Sequence, residues 1–349
     1  MKRIIAGFAI ATMALASCGK ETPAPGTTNY SHGRFITNEG NFGSSNATIT
    51  YIADDGTVIN DVYFLENNLE LGDVLQSFTV IGDKGYAVLN NSQKVVVVTI
   101  ADMKHAATIT GLDYPRYVLD GGNGKAYLTD GAMNGYVRVI DLATNSIAES
   151  IAVGNGPEKM ILDGNLLYVC NSGGWNIDNT VSVIDITTNT LVQTIAVSDR
   201  PQDIVHSSDG DVWVLCSGET LYDVDWNIVG HTDAKIFRIN SDTYLVEDEQ
   251  SIGANGDHPR QLEVSPDGGM LYFENNGVFQ FSIAEADFDA TEIIADMRGS
   301  LNIHPGNGEL WCVGISDFVT ASVVYRYSAG GTLVASYTAG IGANGVAFN

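Results

Sequence analysis

The chain has 349 residues, 44% of them hydrophobic, and 42 acidic against 17 basic side chains give it a formal charge of −25. It is long enough to bury a large core, and all-β architectures often pass 200 residues as one unit. So acidic a surface repels phosphate backbones, which argues against nucleic acid as a partner.

At the start, MKR, the apolar run IIAGFAIATMALA and the ending LASC read as a signal sequence over residues 1–17, too short for a spanning helix. The small residues before Cys18 resemble a bacterial lipobox, which predicts lipidation of Cys18 and anchoring worth about 0.8 kcal/mol per buried CH₂. The following GKETPAPGTTNYSH has no apolar periodicity, so residues 18–33 are expected to be a lipidated cysteine and flexible tether. This layout predicts an outer-membrane lipoprotein exposed at the cell surface. Cys170, Cys216 and Cys312 sit in apolar strand-like runs without close spacing, and read as buried small hydrophobes rather than a disulfide or zinc framework.

From Arg34 onward a unit of about forty residues repeats. Its clearest copy is LLYVCNSGGWNIDNTVSVIDITTNTLVQTIAV, followed by a proline corner, the strand QDIVHS and the turn SDGD. The aromatic of the YVCN strand recurs as Phe35, Tyr86, Tyr127, Tyr168, Trp213, Tyr272 and Trp311, with steps of 41 residues between Tyr86, Tyr127 and Tyr168. Alternating apolar residues between Gly, Asn and Asp turns signal strands and hairpins. Seven copies of a four-strand unit predict an all-β, seven-bladed β-propeller over residues 34–349. RFITNEG lacks a strand before it, and GANGVAFN supplies one with nothing after it. The C-terminal strand is therefore expected to complete the first blade, whose other strands run from Phe35 to about Leu65, and to close the ring.

In a propeller, the loops after the aromatic strands share a face with the corners between blades, and long loops on a rigid scaffold carry function. The longest runs from Ser217 to Asp233. From the loops this face is expected to collect Asn41, Phe42, Asn90, Asp130, Asn134, Asn171, Trp175, Tyr222, Trp226, Asn275 and Phe318. The corners add Tyr114, Arg116, Arg200, Gln202, His258, Arg260 and Arg298. Aromatic contact with amide and guanidinium donors suits an organic ligand with an apolar ring and amides or phosphate. The same Asn and Asp residues also make turns, and the arginines also pair between blades. Glu39, Asp130, Glu158, Asp203 and Glu274 are candidates to hold Ca²⁺ at the channel mouth through oxygen ligands. His231 and His258 have no spacing that makes a metal site, and no catalytic motif stands in a supporting context.

Leu167 to Asp209 resembles the YVTN-repeat family of β-propellers in its YV-x-N, V-S-V-I-D, T-N-T and S-x-D-G pattern. The lipobox, tether and FITNEGNFGSSNATITYI together look like the BtuG-type surface lipoproteins of Bacteroidota. That resemblance implies capture of cobalamin or another corrinoid beside a TonB-dependent outer-membrane transporter, with membrane contact through the lipid anchor only. It transfers no individual contact residue. A lactonase or lyase with a channel metal, and a surface protein-interaction module, remain the alternatives.

Overall fold

The computed structural model describes residues 24–349 except 27, 286, 287, 298, 315 and 316. Residues 1–17, expected to be a signal sequence, together with Cys18 and Arg298, lie outside the described residues. Seven four-stranded antiparallel sheets form the blades of a β-propeller. The innermost strands are Leu75–Ile81, Val118–Gly122, Pro157–Asp163, Pro201–His206, Arg260–Val264, Gly299–Ile303 and Ala343–Phe348. Each packs on the next around the ring, and the last packs on the first.

Closure is made as the terminal half-repeat predicts. Ala343–Phe348 pairs antiparallel with Gly33–Asn38, placing Phe35 opposite Ala347 and Ile36 opposite Val346. The first blade thus draws its strands from both ends of the chain, and the free edges of the two half-repeats pair with each other.

Burial falls from the axis outward, which explains the sequence pattern. Second strands such as Leu166–Asn171 are buried on both faces because neighbouring blades cover them, whereas outer strands such as Thr190–Ala196 are mostly exposed. The seven repeat aromatics are all buried between blades. Three tyrosines carry a further constraint. Tyr86, Tyr127 and Tyr168 donate their hydroxyls to Asn145, Asn189 and Ser241, each in the outer turn of the next blade. Asn145 and Asn189 hold left-handed φ values of 50° and 53°, so the tyrosine bonds a turn that asparagine tolerates. A large apolar ring fills the gap between blades while its polar tip finds a partner.

Two expectations are corrected. The first blade's outer strand does not reach Leu65; it is Val58–Ile59 only, and a short helix, Val62–Asn67, follows. Asp61 caps that helix, which buries Val62, Tyr63 and Glu66 against the sheet. The end of the expected tether is not free either. Tyr30 is fully buried, lies edge-on to Tyr51 at 5.0 Å and donates its hydroxyl to Glu66 at 2.9 Å. The N–H of Gly26 reaches the other Glu66 oxygen at 2.8 Å, and Lys104 stands 3.4 Å from it. The buried carboxylate that the helix turns inward thus fastens the lead-in to the first blade. Among the described residues no helix is long and apolar enough to cross a membrane.

Replacing Tyr30 with alanine should lower stability by about 3–5 kcal/mol, as for other buried large rings. Denaturant unfolding checks this, and an unchanged midpoint would mean that the segment is a free tether after all.

Candidate functional site

Five innermost strands break register at the same level, next to the corners. The interruptions fall at Gln76, Glu158–Lys159, Gln202, Gln261 and Asn344. A bulge re-aims the extra side chain, and these residues make or line the wall of the central channel. Their bonds run from blade to blade. Asn344 donates to Glu39 at 2.9 Å and to the Leu75 carbonyl at 3.0 Å. Gln76 accepts from Arg116, whose Nε donates to both Glu158 oxygens at 2.9 and 3.0 Å. Lys159 pairs with Asp203 at 3.4 Å, and Asp203 accepts from the Leu262 N–H at 3.2 Å. Gln261 accepts from the Leu301 N–H, and Asn302 from the Val346 N–H at 2.9 Å. This polar circuit passes through every blade and returns to the first.

Inside it lies a cavity of about 680 Å³ whose lining includes Glu39, Gln76, Lys159, Arg260, Gln261 and Asn344. Phe318, Gly299 and Gly342 also line it, so the cavity reaches the face that carries the corners and loops. Arg260 is exposed and makes no ion pair or side-chain hydrogen bond among the described residues. A second hollow of about 860 Å³ lies on the flank, walled by Phe273, Phe279 and Phe288. Of the sequence candidates it takes only Asn275, so the channel and its rim form the better-supported site.

The candidates divide by what they touch. Phe42, Trp175 and Trp226 are 80%, 74% and 81% exposed on the loops, and Tyr222 and Phe318 are also exposed. Asn134, on the 131–135 loop, is also exposed. Trp175 stands edge-on to Tyr114 at 6.3 Å, and the Arg116 guanidinium lies 5.3 Å from the Tyr114 ring. This stack links the rim to the polar circuit below. The Trp175 loop is held by close backbone approach: Gly156 has φ 54°, and a Cβ there would meet the Gly174 nitrogen at 1.9 Å. Asn41 donates to the Phe318 carbonyl and joins the first and seventh loops. Tyr222 and Trp226 pair at 6.0 Å on a hairpin, Thr220–Tyr222 with Ile228–His231, that the longest loop forms.

The remaining candidates hold the scaffold. Asn90 donates to the Pro115 carbonyl, and Asn171 to Thr180 and Ser182. Asp130 accepts from the N–H groups of Asp113 and Tyr114 and from Arg138. Arg200 pairs with Glu219, Gln202 donates to Ser172, and Asn275 donates to Asp257. His258 meets Thr220 and His231. Of the carboxylates considered for Ca²⁺, Glu39, Asp130, Glu158 and Asp203 are each bonded to a different partner set along the ring. No three His, Cys, Asp or Glu side chains among the described residues stand together as a metal-ligand group. Sequence reasoning missed Gln76, Gln261 and Asn344, because a bulge depends on the partner strand.

With this geometry in view, comparison with known proteins gives a family. A domain of unknown function, DUF5074, matches residues 32–340. The chain belongs to the DUF5074 family. No curated protein matches the sequence. Solved structures share the DUF5074 chain's fold at low identity. A candidate 6-phosphogluconolactonase of Bacteroides fragilis superposes with a TM-score of 0.66 at 14% identity, covering 93% of this chain and 99% of that one. A quinoprotein alcohol dehydrogenase-like protein of Bacteroides thetaiotaomicron gives 0.65 at 15% identity, covering 92% and 79%. A functionally unknown protein of Desulfotomaculum acetoxidans gives 0.65 at 16% identity, covering 91% and 99%. At these identities the likeness speaks for the fold alone.

The channel charges give the DUF5074 chain a pH signature. Burial pushes the Glu263 carboxyl up to about 7, an effect that nearby Lys159 only partly offsets. The unfolded chain releases this proton near the ordinary 4.5, whereas the folded chain keeps it. The stability that Glu263 contributes is thus full below about 4.5 and is lost as pH rises through about 7. Glu263→Gln should remove that decline. Melting temperatures of both proteins between about pH 4 and 8 should diverge, with the variant gaining as pH rises; parallel curves would contradict the assignment.

Proposed function

We propose that this protein captures an organic small molecule at the cell envelope, using the loop face of the propeller. The observation that carries the reading is the set of solvent-facing loop aromatics, Phe42, Trp175 and Trp226, on the face where the polar cavity opens, with Arg260 in its lining free of ion pairs and side-chain hydrogen bonds among the described residues. Aromatic side chains of this kind bury on the order of 150–250 Å² each when covered. At about 25 cal/mol per Å², covering even two of them supplies a large part of micromolar affinity. The ring beneath is pre-formed, so little ordering opposes binding. A flat ligand with polar amides at its edge and an anionic group suits the exposed aromatics, Asn134 and Arg260 together.

Among such ligands the sequence resemblance favours cobalamin or a related corrinoid. In this reading lipidated Cys18 anchors the protein in the outer membrane, and a TonB-dependent transporter receives the ligand. The lactonase-like reading draws on the description of the Bacteroides fragilis neighbour, whose likeness extends to the fold.

Calorimetric titration with cobalamin tests the proposal. Binding at micromolar concentration or tighter is expected, weakened roughly 10-fold or more in Trp175→Ala and in Trp226→Ala, as for aromatic anchors elsewhere. Absence of binding at micromolar concentration removes the corrinoid, and equal binding by both variants removes the rim.

A further inference from the structure

Three polar atoms from separate parts of the long loop and the next corner converge at the foot of the aromatic hairpin. His231 Nδ1 lies 3.2 Å from His258 Nε2, and the Thr220 hydroxyl lies 2.9 Å from His258 Nε2 and 3.3 Å from His231 Nδ1. Thr220 and His231 face each other across the hairpin's first rung, while His258 comes from the corner that leads into the sixth blade.

We infer that this triangle is a binding site for a borderline divalent transition-metal ion of the Zn²⁺ type, held by His231 Nδ1 and His258 Nε2 with the Thr220 hydroxyl beside them. Zn–N bonds of 2.0–2.1 Å in tetrahedral arrangement set two nitrogens about 3.3 Å apart, which the observed separation nearly meets. Imidazole nitrogens select such ions over Ca²⁺ and Mg²⁺, which prefer oxygen ligands.

Further observations fit a ligand role. The other nitrogen of His258, Nδ1, stands 2.9 Å from the Ser217 carbonyl, which can only accept. Nδ1 therefore carries the hydrogen, and Nε2 turns its lone pair toward the triangle. A backbone carbonyl orienting a metal-bound imidazole in this way is a recurrent arrangement around zinc. His258 also holds a left-handed φ of 53°, a conformation that a non-glycine residue keeps when its surroundings enforce it. In the tautomer with its hydrogen on Nε2, His231 also presents a lone pair to the triangle. The remaining coordination positions fall to water, so the site is open. The strongly negative chain raises the local concentration of cations.

The ion would staple the hairpin to the corner of the next blade and so set the stance of Tyr222 and Trp226. This inference does not depend on the identity of the captured molecule.

Tag-free protein titrated with Zn²⁺ against a chromogenic chelator tests the site. One Zn²⁺ per chain is expected, with affinity falling at least 10-fold in His231→Gln and in His258→Gln and unchanged in His206→Gln. Circular dichroism checks that the variants fold. On wild-type protein, imidazole nitrogen resonances of His231 and His258 should shift together on adding Zn²⁺, a readout that needs no variant. No saturable binding, unchanged binding in both glutamine variants, or shifts confined to other histidines would overturn the assignment.

Discussion

The polar circuit around the channel is the constraint on which the rest depends. Each innermost strand is tied to the next by a side chain that reaches across the gap, and Asn302 returns the circuit to Val346 in the closing strand. Arg116 and Glu158 illustrate the physics. Buried opposite charges gain little net stability, but leaving one without its partner is costly. Blades set at the wrong spacing would strand such charges. The circuit therefore favours one arrangement of seven blades, while the apolar burial comes from a core of mainly Val, Ile and Leu with one large buried aromatic per repeat.

From that ring follows the division of labour on the loop face. Residues nearest the axis are occupied with one another, so they fix positions and leave few free groups. Side chains one layer higher are released toward solvent, and the aromatics there do not contribute to the core. Trp175 shows the connection: its loop is seated by Gly156 against Gly174, and its ring meets Tyr114, whose neighbour Arg116 belongs to the circuit. Rigidity below and exposure above are what a capture surface requires. The hairpin carrying Tyr222 and Trp226 extends the same surface from the fifth blade.

Legibility from sequence followed the range of the interactions involved. Phe35, Tyr86, Tyr127 and their successors could be read because burial between blades imposes one large ring per repeat, at a spacing set by four strands. Closure by Ala343–Phe348 could be read because one half-repeat at each end was missing its complement. The helix Val62–Asn67 could not, since its inward face includes Glu66, whose burial makes sense only once Tyr30 is docked on it. The rim was legible only in part. Phe42, Trp175 and Trp226 are exposed as their loops suggested, but Asn90, Asp130 and Asn171 look alike in sequence and spend their polar atoms on the scaffold. His231 and His258 are 27 residues apart and meet only because a hairpin folds back on a corner.

The most direct measurement of the central claim is hydrogen exchange at the seam of the ring. Peptides covering Gly33–Asn38 and Ala343–Phe348 should exchange as slowly as Leu166–Asn171, a strand enclosed within one continuous repeat. Fast exchange at both seam strands, like that of unpaired sheet edges, would show that the ring is open and that the loops do not share a common rim.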